Sequence, residues 1–114
     1  MDEVIAAGDL EIRPDEYLVT AGGQVLRLSL RELQVLTALA RRQGRIVSRA
    51  ELYAMVWGGE LRDDDRSVDV YVHRLRGKLA GALPDREFIH THFGFGYRFA
   101  PERSHAFHRT TTQR

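Results

Sequence analysis

The side chains best suited to recognising an anion are concentrated between residues 66 and 79. This stretch has a net charge of +3 with His73 neutral, and it follows a stretch of net charge −3 over residues 60–65. Arginine carries a planar fork of N–H donors, which fits phosphate oxygens and the edges of nucleic-acid bases. A charged helix face also occurs simply because it is solvated. The stretch by itself therefore leaves nucleic-acid binding and plain solvation as alternatives.

Hydrophobic periodicity predicts that this basic stretch is a helix, over residues 65–80. Val68, Val72, Leu75 and Leu79 recur at the spacing of one buried helical stripe. The opposite face carries the residues that remain outside: Arg66, Val70, His73, Arg74 and Gly77. An α-helix with such a face has the right width for the major groove of B-DNA.

The preceding residues are predicted to build a small support for this helix. Alternating apolar residues and turn residues over 9–28 predict short antiparallel strands, and a sheet that small needs another element packed against it. The segments Ser29 to Glu32 and Ser48 to Glu51 fit the S-x-x-E capping box, which predicts the starts of two helices. Residues 88–99 form two alternating runs around a glycine-containing tip, which predicts a β-hairpin.

Length and composition predict one domain. The chain has 114 residues, of which 43% are hydrophobic and 29% charged, and it contains no cysteine. We predict a linker remnant over residues 1–8, the folded domain over 9–100 and a disordered polar tail over 101–114. No apolar run approaches the ~18 residues of a membrane span, and the acidic start lacks the basic segment of a signal peptide. We expect a cytoplasmic protein that does not enter a membrane.

The sequence offers little for catalysis or metal binding. It lacks cysteine ligands and nucleophiles, and it contains no Gly-rich phosphate loop, nucleophile motif or paired-carboxylate site. His90 and His92 share one strand face, but no acid cluster accompanies them. Asp63 to Asp65 fit the N-cap of a helix better than a catalytic pair. We therefore predict no enzymatic activity, no metal site and no cofactor.

Several short motifs, taken in order, resemble those of one family. They are Val47-Ser-Arg-x-x-Leu52, Val56-Trp-Gly58, Asp65-Arg-Ser-Val-Asp-Val70, Arg74-Leu-Arg76-x-Lys-Leu79 and Gly94-x-Gly-Tyr-Arg-Phe99. Each motif is modest alone. Their order and spacing within residues 9–100 resemble the OmpR/PhoB-type winged-helix DNA-binding domain.

The resemblance implies an α+β fold, a winged helix-turn-helix with an N-terminal antiparallel sheet, three helices and a C-terminal β-hairpin wing. It implies a sequence-specific DNA-binding domain of a bacterial transcription regulator, the output half of a two-component response regulator. The third helix would lie in the major groove of double-stranded DNA. Direct-repeat half-sites, a head-to-tail dimer on DNA and association with the nucleoid would accompany that role. The loop before the third helix would contact RNA polymerase through Gly59, Glu60, Leu61, Arg62 and Asp63.

Residue by residue, the resemblance implies three groups of DNA contacts. The base-facing positions match Val70, His73 and Arg74. The positions that supply phosphate contacts and affinity match Arg66, Tyr71, Arg76 and Lys78. The wing would contact the DNA backbone through Thr91 and Tyr97.

For three further residues the sequence leaves two roles open, one in DNA binding and one in the structure of the protein. Asp69 would orient Arg74 or touch a base, and a local salt bridge is the alternative. Trp57 would pack near the DNA backbone, or it would be a half-buried structural residue. Arg49 would donate to a phosphate, or it would be an ordinary exposed arginine.

The sequence departs from the family pattern at the wing and in the third helix. Where the family commonly has Thr-Val-Arg-Gly, with an arginine that can enter the minor groove, this chain has Thr91-His-Phe-Gly94. Either Phe93 or Phe95 then packs against DNA sugars or a neighbouring protomer, or the wing matters less. His73 stands where arginine or lysine is frequent, and a neutral histidine attracts phosphate less.

Two broader alternatives remain open from the sequence. The net charge of +1 and the altered wing also suit a winged-helix protein-interaction module with weak DNA affinity. The chain is too short to hold a phosphorylatable receiver domain as well. It is therefore either a fragment of a response regulator, which residues 1–8 favour, or a free-standing regulator controlled in another way.

Overall fold

The N-terminal strands form one antiparallel sheet, as the sequence predicts. The computed structural model describes residues 2–104. Its first four strands pair in chain order, and they are β1 (Ile5–Ala7), β2 (Leu10–Arg13), β3 (Leu18–Ala21) and β4 (Gln24–Val25). Because side chains alternate along a strand, Leu10, Ile12 and Val19 are buried on one face of this sheet.

The first strand lies inside the segment predicted to be a linker remnant. Ile5 pairs with Ile12 and Ala7 pairs with Leu10. Ala7 is buried, and Gly8 at a φ of +61° makes the turn into β2. The prediction for residues 1–8 is therefore wrong at Ile5–Ala7, because three apolar residues are too few to show an alternating pattern.

Three helices follow the sheet, and both predicted capping boxes are formed. They are α1 (Leu30–Ala40), α2 (Arg49–Val56) and α3 (Ser67–Ala82). The Glu32 N–H donates to Ser29 Oγ at 3.2 Å while the Ser29 N–H donates to the Glu32 carboxylate at 2.8 Å. Ser48 and Glu51 make the same reciprocal pair at 3.0 and 2.9 Å. Each box satisfies two backbone donors that the helix leaves without partners.

The third helix is shifted by two residues from its predicted bounds. It runs over Ser67–Ala82, with Arg66 as its N-cap residue. The Asp65 carboxylate accepts from the backbone N–H of Ser67 at 2.8 Å and from its hydroxyl at 2.6 Å. The acidic stretch thus ends in a carboxylate at the positive end of the helix, where negative charge is favourable.

The C-terminal hairpin belongs to a second sheet. Its strands are β5 (Ile46–Val47), β6 (Arg86–His92) and β7 (Gly96–Arg103), and β7 pairs antiparallel with both others. The hairpin turn is closed by the Phe95 N–H, which donates to the His92 carbonyl at 2.8 Å. Pro101 to Arg103, predicted as part of the tail, are instead strand residues. Residues 105–114 of the predicted tail lie outside the described residues.

One hydrophobic core joins the two sheets and the three helices. α1 lies at its centre, with Val35, Leu36 and Leu39 fully buried. The predicted stripe of α3, Val68, Val72, Leu75 and Leu79, is buried against it, as is Phe99 of β7. This packing fixes which side of α3 faces outward. Within residues 2–104, no helix is long and apolar enough to cross a membrane.

Candidate nucleic-acid interface

The outward side of α3 carries the residues that the sequence places there. Arg66, Val70, His73 and Arg74 are exposed, and Val70 keeps 41% of its surface accessible. Within residues 2–104, no carboxylate forms an ion pair with Arg66 or Arg74. Because the opposite stripe is buried, this face is rigidly presented and its two guanidinium groups are available to an anion.

A stack of aromatic rings supports Arg74 from the side of α2. The Arg74 guanidinium lies 5.0 Å from the ring centre of Tyr71, within cation–π distance. Tyr71 in turn contacts Trp57 at 5.7 Å, and Trp57 stacks on Tyr53 at 5.3 Å with 8° between the rings. Arg31 covers Trp57 at 4.9 Å. These contacts are those of a half-buried structural tryptophan, and they make Tyr71 a support for Arg74.

Asp69 forms a salt bridge, and its partner is Arg49 rather than Arg74. Arg49 donates to both carboxylate oxygens, at 2.9 and 3.1 Å, and to the carbonyl of Asp65 at 3.4 Å. The buried hydroxyl of Tyr97 donates to the same carboxylate. Burial and this hydrogen bond to Asp69 raise the pKa of Tyr97 to about 12, so the phenol keeps its proton. The three side chains tie α2, α3 and β7 together.

Arg76 joins α3 to the hairpin. Its guanidinium donates to the Ile89 carbonyl at 2.9 and 3.1 Å and to the hydroxyl of Thr91. It also lies 5.5 Å from the ring centre of Tyr97. Arg76 and Thr91 were both predicted to contact the DNA backbone. In this structure their polar atoms bond to each other and to β6, so the pair holds the hairpin against α3, and the contacts with the DNA backbone stay predictions.

The ammonium of Lys78 bonds to α1 and to the chain before it, while 41% of the side chain remains exposed. Its ammonium donates to the Glu32 carboxylate at 2.7 Å and to the Arg27 carbonyl at 3.1 Å. Glu32 is 3% exposed. Burial by itself would raise the pKa of Glu32, but the bonds from Lys78 and Ser29 outweigh it and hold that pKa below its ordinary value. Two of the three ammonium donors of Lys78 are used in these bonds, and no local sequence pattern indicates Glu32 as its partner.

The loop between α2 and α3 is exposed over most of its length. Gly59, Glu60, Arg62 and Asp63 are exposed, and Leu61 is half-buried. Gly58 and Gly59 have φ values of +80° and +87°, which favour glycine and end α2 sharply. The residues predicted to contact RNA polymerase are thus accessible to a partner.

The tip of the hairpin, residues 93–95, exposes two aromatic rings. Phe93 is 88% exposed and Phe95 72%. The tip lines a cleft of about 620 Å³, whose walls include Arg66 of α3, Arg49 of α2 and Leu61 of the loop. The hairpin and the start of α3 therefore form one concave surface.

The Nε2 atoms of His90 and His92 both contact polar groups of the hairpin itself. The His90 Nε2 lies 2.9 Å from the Ala100 carbonyl, and the Arg98 Nε donates to the His92 Nε2 at 3.0 Å. Arg98 also pairs with Glu102 at 3.0 Å. Within residues 2–104, no group of three or more histidine and acidic side chains is arranged to hold a metal ion.

Comparison with known proteins gives the same architecture. Residues 23–99 match the family model described as "Transcriptional regulatory protein, C terminal". The chain is 32% identical over 97 residues to the sensory transduction protein RegX3 of Mycolicibacterium smegmatis, an alignment that covers 85% of this chain and 42% of RegX3. The chain thus spans less than half the length of that curated relative.

Two solved structures extend the comparison. The RstA DNA-binding domain of Klebsiella pneumoniae, solved with the RstA box, superposes with a TM-score of 0.78 at 36% identity, covering 86% of this chain and 97% of that one. The response regulator DrrB of Thermotoga maritima, an OmpR/PhoB homologue, superposes with a TM-score of 0.69 at 28% identity. The match covers 85% of this chain and 44% of DrrB. Family match, identity and fold agree with the resemblance seen in the motifs. The chain belongs to the family of C-terminal domains of transcriptional regulatory proteins, and it is an OmpR/PhoB-type winged-helix DNA-binding domain of the kind found in bacterial response regulators.

Proposed function

We propose that α3 enters the major groove of duplex DNA and that its outward side chains discriminate between base sequences. The observation that carries this proposal is the pair of exposed guanidinium groups, Arg66 and Arg74, on a helix face that no described carboxylate neutralises. A face of this kind gains from counterion release when it meets phosphates. The RstA domain was solved with its DNA box, which supports the same use of the fold here.

We assign each side chain a role in DNA binding according to whether it is exposed on α3 or bonded within the protein. Arg74 donates to the O6 and N7 atoms of a guanine, Val70 contacts a thymine methyl group, and His73 reads a neighbouring base edge. Arg66 and Tyr71 hold the register on the phosphates. A second set acts indirectly by fixing α3 and the hairpin, and it comprises Arg49, Asp69, Arg76, Thr91, Tyr97, Trp57 and Lys78.

Binding to random duplex DNA tests the proposal against the protein-interaction alternative. Wild-type chain should bind random duplex at ~50 mM salt, with an affinity that falls linearly on a log–log plot against salt concentration. Selection of bound duplexes from a random pool should then enrich one short sequence. Absence of any binding at ~50 mM salt would favour the interaction module, which the net charge of +1 and the altered wing also suit.

The proposal also covers a second copy of the chain, RNA polymerase and the location in the cell. Two copies bind directly repeated half-sites in head-to-tail order, and the loop over Gly59 to Asp63 contacts RNA polymerase. The chain acts in the cytoplasm, at the nucleoid, as the output part of a longer response regulator. The exposure of the loop supports the polymerase contact, and the greater length of RegX3 supports the assignment to a longer regulator. Crosslinking from a photoreactive group at Glu60 to purified RNA polymerase on DNA tests the loop contact.

A further inference from the structure

The hairpin tip presents aromatic rings where a DNA-binding wing would be expected to carry a cation. Phe93 and Phe95 are 88% and 72% exposed, one on each side of Gly94. Gly94 has a φ of +84°, which lets the chain reverse within this short turn. Two large apolar side chains at the end of a projecting turn are costly to leave in water, so they favour an apolar partner surface.

The tip is held rigidly relative to α3. Gly96, directly after the tip, approaches β5 so closely that a Cβ there would lie 2.1 Å from the Val47 carbonyl oxygen. The next residue, Tyr97, donates a hydrogen bond to Asp69 of α3. Arg76 of α3 donates hydrogen bonds to Ile89 and Thr91 of β6, the other strand of the hairpin. A rigid tip loses little conformational entropy when it inserts into a partner.

The surroundings of the tip favour a polyanion as that partner. The cleft of about 620 Å³ between the tip and α3 is lined by the guanidinium groups of Arg49 and Arg66 and by one carboxylate, Asp69. Asp69 is already bound to Arg49, so the net charge of the lining is positive. With α3 in the major groove, this cleft would receive the phosphate strand that separates the major from the minor groove. The tip would then reach the minor groove beyond that strand.

We propose that Phe93, with Phe95 exposed beside it at the tip, is an apolar wedge that enters the minor groove beside the half-site and partly unstacks one base step. This proposal rests on the proposed function. Phenylalanine wedges unstack and kink DNA at the cost of the stacking energy of one step. That cost is smallest at flexible pyrimidine–purine steps such as TA and CA/TG. The wedge therefore gives this chain a preference for such a step at a position that no hydrogen bond reads.

The first test measures how Phe93→Ala changes affinity for a single half-site duplex selected by the wild-type chain. A ring contact releases no counterions, so the variant should bind roughly tenfold more weakly at every salt concentration with an unchanged salt slope. Val25→Ala, at an exposed apolar residue of β4, is the matched control and should bind as the wild type does. Because Phe93 is exposed, the variant should keep the circular dichroism spectrum and melting temperature of the wild type.

The second test reads the unstacking directly. A 2-aminopurine placed at the flanking step should brighten when the wild-type chain binds and should stay dark with Phe93→Ala. Replacing a flanking TA step by AT keeps the minor-groove acceptors the same but stiffens the step. The replacement should weaken the wild-type chain and leave Phe93→Ala unaffected.

The outcomes separate the wedge from the function on which it rests. A wild-type chain that binds no duplex overturns the proposed function and the wedge together. A wild-type chain that binds, with Phe93→Ala binding equally well or with no 2-aminopurine response, overturns the wedge alone. An effect of Phe93→Ala that appears only on duplexes with two half-sites also overturns it, because the ring would then contact the second copy.

Discussion

We expect base discrimination by α3 to depend most on Arg74. It is exposed, it has no carboxylate partner among residues 2–104, and Tyr71 supports it at 5.0 Å. Its neighbours on the same face are Val70, which is apolar, and His73. Of the two exposed guanidinium groups on this face, Arg66 lies at the N-terminal end of α3 and Arg74 lies near its middle, so we expect Arg74 to form the forked bond to a base edge.

Arg74→Ala should weaken binding to the selected duplex by about 1–3 kcal/mol and relax the preference at one base position. Fluorescence anisotropy titrations with the selected and a scrambled duplex measure both effects. Arg13→Ala removes the same charge from β2, where Arg13 is paired with Glu11, and should change neither affinity. An equal loss on both duplexes would show that Arg74 holds a phosphate instead of a base.

The Glu32–Lys78 pair is expected to act on stability and not on DNA binding. Lys78→Met leaves the carboxylate of Glu32, 3% exposed, without its cation. This should lower the free energy of unfolding by about 1–3 kcal/mol, measured by urea denaturation, because the buried carboxylate then loses its cationic partner and keeps the Ser29 N–H as a hydrogen-bond donor. The salt slope of DNA binding should stay unchanged. A flatter slope would instead place Lys78 on a phosphate.

The same pair predicts a dependence of stability on pH. The pKa of Glu32 in the folded chain lies below its ordinary value of 4.5, because the bonds from Lys78 and Ser29 outweigh the effect of burial. The carboxylate therefore stabilises the fold fully above pH 4.5, and this contribution is lost as pH falls through the folded-state pKa. Glu32→Gln should lower the free energy of unfolding at pH 7. Urea titrations should find a smaller difference from the wild type at about pH 3.

At the scale of elements, the hairpin is positioned by contacts on both of its strands. β7 is fixed by its pairing with β5 and by the bond from Tyr97 to Asp69, and β6 is fixed by Arg76. The residues that hold the wing therefore lie on α3 and β5. Loss of any of them would act on DNA binding through the position of the tip.

Gly96 and Gly81 give opposite predictions for substitution by alanine. At Gly96 the added Cβ would lie 2.1 Å from the Val47 carbonyl oxygen, and the φ of +141° disfavours any other residue. Gly96→Ala should therefore destabilise the fold by more than about 1 kcal/mol. Gly81 lies in α3 with open space around it, so Gly81→Ala should stabilise by about 0.5–1 kcal/mol. Thermal denaturation of both variants measures the sign, and a stable Gly96→Ala would contradict the close approach.

At the scale of the whole molecule, charge is separated along the chain. Residues 1–20 carry a net charge of −5 and residues 66–79 a net charge of +3, although the total is only +1. The acidic part belongs mainly to the N-terminal sheet and the basic part to α3. We therefore expect the cationic face of α3 to bind DNA despite the small total charge, and we expect the acidic sheet to contact the basic side of a second copy.

Two copies are therefore expected to bind a duplex with directly repeated half-sites one helical turn apart, about 10 base pairs. Binding should be cooperative on the direct repeat and less so when one half-site is inverted, because head-to-tail contacts then fail. Sedimentation of the protein–DNA complex gives the stoichiometry on each duplex. Equal cooperativity on both arrangements would contradict the head-to-tail order.

The sequence by itself determined the features that depend on neighbouring residues. The two capping boxes join residues three apart, the stripe of α3 repeats within one helix, and the hairpin reverses at Gly94. Such patterns are visible because the interacting groups are close in the chain. The ordered motifs also identified the family, which the comparisons confirm.

Only the tertiary structure decided which charged residues are available. Arg49 meets Asp69 from 20 positions away, and Lys78 meets Glu32 from 46. No local pattern indicates such pairs, since they form only when the core brings α1, α2, α3 and the hairpin together. Several residues predicted to contact DNA therefore also form internal bonds. Arg66 and Arg74 remain outward because the stripe on the other side of α3 is the side that is buried.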